Sequence, residues 1–166
     1  MIDGEPARAG LRGGATAIAR REARRLALEA LFEAEFGQRT ALAALERTLA
    51  DTADEPTRLH ARELVTAVVR YRDVIDARIE TAAPRYPVVQ LARMDRTLLR
   101  LAIGELLHSP TTPARVAISE WVELARSYSG EPARKLLNGV LGRVVRESTD
   151  RAGTGPTDPR EQHGGA

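Results

Sequence analysis

The chain has no cysteine, so disulfides and thiolate metal sites are excluded. It has almost no lysine: Lys135 is the sole lysine among 25 Lys and Arg residues. Alanine is abundant as well, and GC-rich codons account for both, so the bias toward arginine is not by itself a functional signal. Aromatic residues make up 4% of the chain, too few for base stacking on many rings. The three histidines, His60, His108 and His163, are far apart and form no ligand motif; they read as surface, helix end and tail. Net charge is only +2, from 25 basic and 23 acidic residues, so local distribution must decide any preference for nucleic acid. No apolar run approaches the roughly twenty residues of a membrane helix. The N-terminus lacks a signal-like apolar stretch. A soluble cytoplasmic protein is the expectation. No P-loop, Gly-x-Gly-x-x-Gly, Gly-x-Ser-x-Gly or His-Glu-x-x-His pattern occurs, so no enzyme, cofactor or metal is expected.

What is present is helical pattern broken by glycine and proline. Residues 1–15 carry Gly4, Gly10, Gly13 and Gly14 without a helical period and are expected to be disordered. One helical domain follows over 16–147, in two halves, 16–83 and 84–147. The tail, 148–166, is polar and rich in glycine, and is expected to be disordered. Helices are predicted over 17–36 behind Thr16 as N-cap, 40–53, 57–82, 88–92, 94–108, 115–128 and 132–147. Gly37, Pro56 and the Ser129-Gly130-Glu131-Pro132 break punctuate them. Ser109-Pro110-Thr111-Thr112-Pro113 must turn, because each proline lacks an N–H and clashes inside a helix. Short connections between apolar helices argue for antiparallel neighbours. The fold class is therefore all-α, about seven helices in two packed antiparallel halves.

On the first long helix, Ala23, Leu26, Ala27, Ala30, Leu31 and Ala34 share one arc and should face the core. Arg20, Arg21, Arg24 and Arg25 fall on the neighbouring arc, which Leu28 and Phe32 continue as exposed apolar surface. Such a face can meet nucleic acid at one end and protein at the other. It can equally be a solvated face, since Glu29, Glu33 and Glu35 lower the local potential. In the third helix Leu59, Leu64, Val65, Val68, Val69, Val74, Ile75 and Ile79 are the predicted core positions. Leu42, Leu45 and Leu49 play that part in the second. Glu105 lies in an apolar helix, and backbone N–H groups of a neighbouring helix start are its expected partners. Trp121 is expected in the core. Arg134 and Lys135 open the last helix, where backbone N–H groups also favour anions, so a phosphate site is chemically sensible there.

The stretch Met94–Glu147 resembles the C-terminal half of the NusB transcription antitermination factors. The matching pieces run from Asp95-Arg96 through Leu98-Leu99-Arg100-Leu101-Ala102, Glu105-Leu106 and Val116-Ala117-Ile118-Ser119-Glu120. They continue with Val122-Glu123-Leu124-Ala125-Arg126 and Lys135-Leu136-Leu137-Asn138-Gly139-Val140-Leu141. The arginine-rich start of the first helix and Ala30-Leu31-Phe32 are similar too, so the resemblance covers roughly 18–147. It implies a factor that binds single-stranded boxA-type RNA together with NusE, a small-subunit ribosomal protein. With other Nus factors the complex modifies RNA polymerase, notably on ribosomal RNA operons. It implies phosphate contacts from Arg20, Arg21, Arg24 and Arg25, and a protein-partner side that includes Phe32, Asp95 and Leu136. Relatives often have phenylalanine where this chain has Leu136, and an acidic residue where it has Pro132. Altered RNA binding, or a homodimer that covers the arginine face, are the competing expectations. The domain also resembles the N-terminal RNA-binding part of some ribosomal RNA cytosine methyltransferases, but the chain has no room for the catalytic domain. A protein–protein adaptor without RNA contacts is the alternative function.

Overall fold

Helix ends fall where capping chemistry places them. The computed structural model describes residues 5–51, 54–109 and 111–153, with side chains from residue 16 onward. The elements are α1 (Glu5–Ala34), α2 (Ala41–Leu49), α3 (Glu55–Arg70), α4 (Arg72–Ala82), a 3-10 turn (Val88–Gln90), α5 (Arg93–His108), α6 (Ala114–Ser129) and α7 (Glu131–Gly153). Thr40 opens α2 by accepting from the Ala43 N–H at 3.2 Å. Asp54 opens α3 by accepting from the Thr57 N–H at 3.0 Å, with Pro56 in the first turn. Gly130, at φ +98°, lets its N–H reach the carbonyls of Ala125 and Arg126, both at 3.1 Å. A side chain at that φ would be strained, and α7 begins at the very next residue.

Three boundaries differ from the sequence-based expectation. α1 begins at Glu5, so Thr16 is interior and not an N-cap, and residues 5–15 of the segment expected to be disordered are helical. Pro6 stands in its first turn, where a missing N–H costs nothing. The predicted 57–82 helix is two helices with a corner at Tyr71, at φ −112° and ψ 23°. The Tyr71 N–H still reaches Ala67 O at 2.9 Å, and the Ile75 N–H reaches Tyr71 O at 2.9 Å. The bend loses little hydrogen bonding, so neither proline nor glycine is needed to make it. α7 runs past Glu147 to Gly153; the rest of the predicted tail, residues 154–166, lies outside the described residues, as do residues 1–4.

α5 is the central element. Every residue from Thr97 to Glu105 is buried, and the helix packs on α1, α3, α4, α6 and α7. The core is continuous across the two predicted halves. The predicted inner arc of α1 is buried, with Ala34 packed against the core at its edge. Leu28, expected on the exposed arc, is fully buried, because α2, α3 and α5 grip α1 from more than one side. Leu59, Val69 and Val74 are about half exposed instead of core, and Leu42 is exposed as well. On α3 the inner stripe is Thr57, His60, Ala61, Leu64, Val65 and Val68. Burial there follows the geometry of the stripe and admits a histidine and an alanine ahead of the larger Leu59. No helix among the described residues is long and apolar enough to cross a membrane.

Candidate nucleic-acid interface

Arg20, Arg21, Arg24 and Arg25 of α1 meet four different fates. Arg24 is 1% exposed and makes a two-pronged ion pair with Glu105, Nε to Oε2 at 3.0 Å and Nη2 to Oε1 at 2.7 Å. It is therefore a core residue and reaches no phosphate. Arg20 holds the turn before α6, donating to Thr112 Oγ1 at 2.8 Å and to Thr111 Oγ1 and O at 3.2 and 3.3 Å. Arg21 is exposed and donates to Glu120 at 3.0 Å. Arg25 pairs with Glu22 and, at 2.7 Å, with Glu29.

Glu105 is the hub beneath this face. Its Oε2 also accepts from Trp121 Nε1 at 2.6 Å, and His60 Nε2 lies 3.4 Å from Oε1, out of hydrogen-bonding geometry. One carboxylate thus ties α1, α5 and α6, with His60 of α3 beside it. Burial pushes its pKa up, but His60, Arg24 and Trp121 outweigh that and hold it at about 2. The expectation that backbone N–H groups satisfy Glu105 is corrected: side chains do. His60, read as a surface residue, is buried. Trp121 is in the core as expected. His108 stands at the end of α5 and stacks on Tyr71, ring centroids 3.8 Å apart. His163 lies outside the described residues. A second cluster pins the end of α1: Arg100 donates to Asp76 at 2.8 and 2.9 Å and to Glu35 at 2.9 Å, and Arg96 reaches Glu35 at 2.5 Å.

Two open grooves collect the remaining site residues. The first, about 1070 Å³, lies between α1, α6 and α7 and brings Arg21 and Arg25 together with Arg115, Arg134 and Asn138. Three of its four cations face carboxylates of the same groove or next to it: Glu120, Glu22 and Glu131 pair with Arg21, Arg25 and Arg134. Hydrogen bonds from Arg25 and Arg134 hold Glu22 and Glu131 below the usual carboxylate range. The second groove, about 830 Å³, runs along α7 beside the α4–α5 connector. It brings Lys135, Leu136 and Asp95 together with Arg85, Tyr86 and Arg143. Asp95 accepts from Ser129 Oγ at 2.5 Å. Phe32 lines neither groove; it packs edge-on against Phe36 at 5.3 Å, and the Arg93 guanidinium stands 5.0 Å over the Phe36 ring. The sequence reading missed Arg85, Tyr86, Arg115 and Arg143. Arg143 was within reach, eight residues past Lys135 on one face of α7.

Comparison with known proteins bears on this geometry. The NusB family model matches residues 21–146. Among curated relatives, the NusB transcription antitermination protein of Dehalococcoides mccartyi strain 195 is 38% identical over 134 residues, 80% of this chain and 94% of that protein. The NusB of Heliobacterium modesticaldum is 36% identical over 137 residues, 82% of this chain and 66% of that protein's length. A solved structure of T. maritima NusB aligns with TM-score 0.73 at 32% identity, covering 77% of this chain and 91% of that one. A complex of antitermination factors NusB and NusE with double-stranded RNA aligns with TM-score 0.69 at 26% identity, covering 78% of this chain and 97% of that one. With the matched region taking in α2 through α6, the C-terminal part of α1 and most of α7, and nearly all of both grooves, this chain belongs to the NusB family.

Proposed function

We propose that this chain is a cytoplasmic transcription antitermination factor. It binds boxA-type RNA together with NusE, and the complex, with other Nus factors, modifies elongating RNA polymerase, notably on ribosomal RNA operons. The observation that carries the reading is the family match over 21–146, which spans nearly all of both cationic grooves. The likeness to a NusB–NusE–RNA complex supports it. Arg21, Arg25 and Arg134 in the first groove and Lys135 in the second are the phosphate ligands of this reading. Phosphate contacts of this kind give salt-dependent affinity and little sequence information. Arg24 is left out because it is buried, and Arg20 because it holds a turn. Phe32, Asp95 and Leu136 face the protein partner. The reading assigns no catalytic step.

The test is fluorescence anisotropy of a labelled boxA RNA, titrated with the protein alone and with NusE. Wild type is compared with an Arg21→Ala/Arg25→Ala variant whose helicity is checked by circular dichroism. The expected result is NusE-dependent binding that the variant weakens. The variant's salt dependence is shallower by about 0.7 in log–log slope for each single-strand phosphate it no longer holds. No boxA preference with or without NusE, at low salt and with a folded sample, would sink the reading.

A further inference from the structure

The groove along α7 is unlike the arginine groove in one respect. Its three cations, Arg85, Lys135 and Arg143, have no carboxylate at ion-pair distance among the described residues. Arg143 donates only to the Ala82 carbonyl, at 2.9 Å. The single carboxylate in the lining, Asp95, is engaged by Ser129. The same lining holds Tyr86, 54% exposed and its one aromatic residue. Its backbone is fixed: its N–H reaches Ala83 O at 2.9 Å, and Pro84 and Pro87 flank it. Leu136 across the groove offers no ring. Asp95 and Pro132 mark one end of the groove and Arg143 the other, eleven residues of α7 apart, roughly 16 Å.

An exposed ring on a held backbone, in a lining of three cations and one carboxylate with no ion pair among them, has the chemistry of a single-stranded nucleic-acid site, with phosphates on the cations and a base on the ring. We propose that Tyr86 is the stacking platform for an unpaired RNA base in this groove, with Arg85 and Arg143 holding the adjoining phosphates. The proposal rests on the RNA-binding reading above and adds the place where a base is taken up. A duplex offers no free base, so the ring acts on single strands alone. The Asp95–Pro132–Leu136 end is left to the protein partner, which puts RNA and protein side by side on α7.

The test uses the full chain with NusE and two labelled probes, a single-stranded boxA-type RNA and the same sequence as a duplex. Tyr86→Leu is expected to weaken single-strand binding about tenfold and to leave the duplex unchanged. Tyr86→Phe keeps the ring and is expected to stay within about twofold of wild type. Arg85→Ala is expected to lower the salt slope by about 0.7. Single-strand affinity unchanged in Tyr86→Leu overturns the proposal, and so does Tyr86→Phe behaving like Tyr86→Leu. It is also overturned if Tyr86→Leu weakens capture of NusE without RNA while RNA affinity holds, because the ring is then a protein-binding element. If wild type binds neither probe, the RNA reading itself has failed. If wild type binds and Tyr86→Leu binds equally, only the stacking role has.

Discussion

The two grooves hold similar numbers of cations and differ in what those cations already touch. Between α1, α6 and α7, Arg21, Arg25 and Arg134 are each answered by a glutamate, so a phosphate competes with a carboxylate at three of the four cations, and Arg115 alone has no carboxylate at ion-pair distance among the described residues. Along α7, Arg85, Lys135 and Arg143 lie in a lining with one occupied carboxylate, and a phosphate displaces only water and counterions. Counting arginines therefore ranks the grooves wrongly. What ranks them is the charge left over after local pairing, and both rest on the core in which the Glu105 cluster is buried.

The strongest way to break the comparison is to remove its common support. Glu105→Ala leaves Arg24 buried without a counter-charge and Trp121 Nε1 without its acceptor. A loss of about 3–5 kcal/mol is expected, read as a fall in the urea midpoint at unchanged slope, with both grooves lost together. A midpoint close to wild type would mean that α1 docks without the cluster.

The next effect is set by pH. The folded Glu105 carboxyl titrates at about 2, against 4.5 for an ordinary glutamate. Its folded value is depressed, so its contribution is complete above about pH 4.5 and drains away as pH falls toward 2. Roughly 3 kcal/mol is at stake. Urea midpoints taken between pH 6 and pH 2.5 should fall for wild type, while Glu105→Gln should lose this part of the slope. Parallel curves would place the acid sensitivity elsewhere.

The smallest effect on stability is the most informative about RNA. Glu120→Gln/Glu131→Gln frees Arg21 and Arg134 and brings the first groove nearer the unpaired character of the second. Exposed pairs of this kind contribute little to stability, so folding should barely change. RNA affinity at low salt should rise, and its salt slope should steepen by up to about 1.4, the equivalent of two single-strand phosphates. An unchanged slope would take the first groove off the RNA path.

Much of the fold was legible because a helix buries positions by period alone. Ala23, Leu26, Ala27, Ala30 and Leu31 on α1, and Leu137, Val140, Leu141 and Val144 on α7, follow that rule. The Tyr71 corner was not legible, because a bend that keeps its hydrogen bonds leaves no proline or glycine behind. Nor could one helix wheel separate Arg24 from Arg21 and Arg25. The carboxylate that draws Arg24 inward is 81 residues away, and α1 is buried on more sides than one stripe implies. His60 was within reach of periodicity, since it stands four residues before Leu64 and eight before Val68; its residue type argued for the surface and burial overruled it. Of the site, Lys135, Leu136 and Asp95 do share a groove, but its pairing state depends on which carboxylates fold back onto which arginines.

Trp121 gives the molecule a built-in optical reporter. It is the only tryptophan in the chain, fully buried, and its indole N–H points at the carboxylate that holds α1 and α6 against α5 beside His60 of α3. Excitation at the red edge of protein absorbance therefore interrogates one place, the junction where four helices meet. A blue-shifted emission signals an assembled junction. Its shift to longer wavelength times the arrival of water there without any label, so the order in which the helices dock can be followed in unmodified protein by stopped flow.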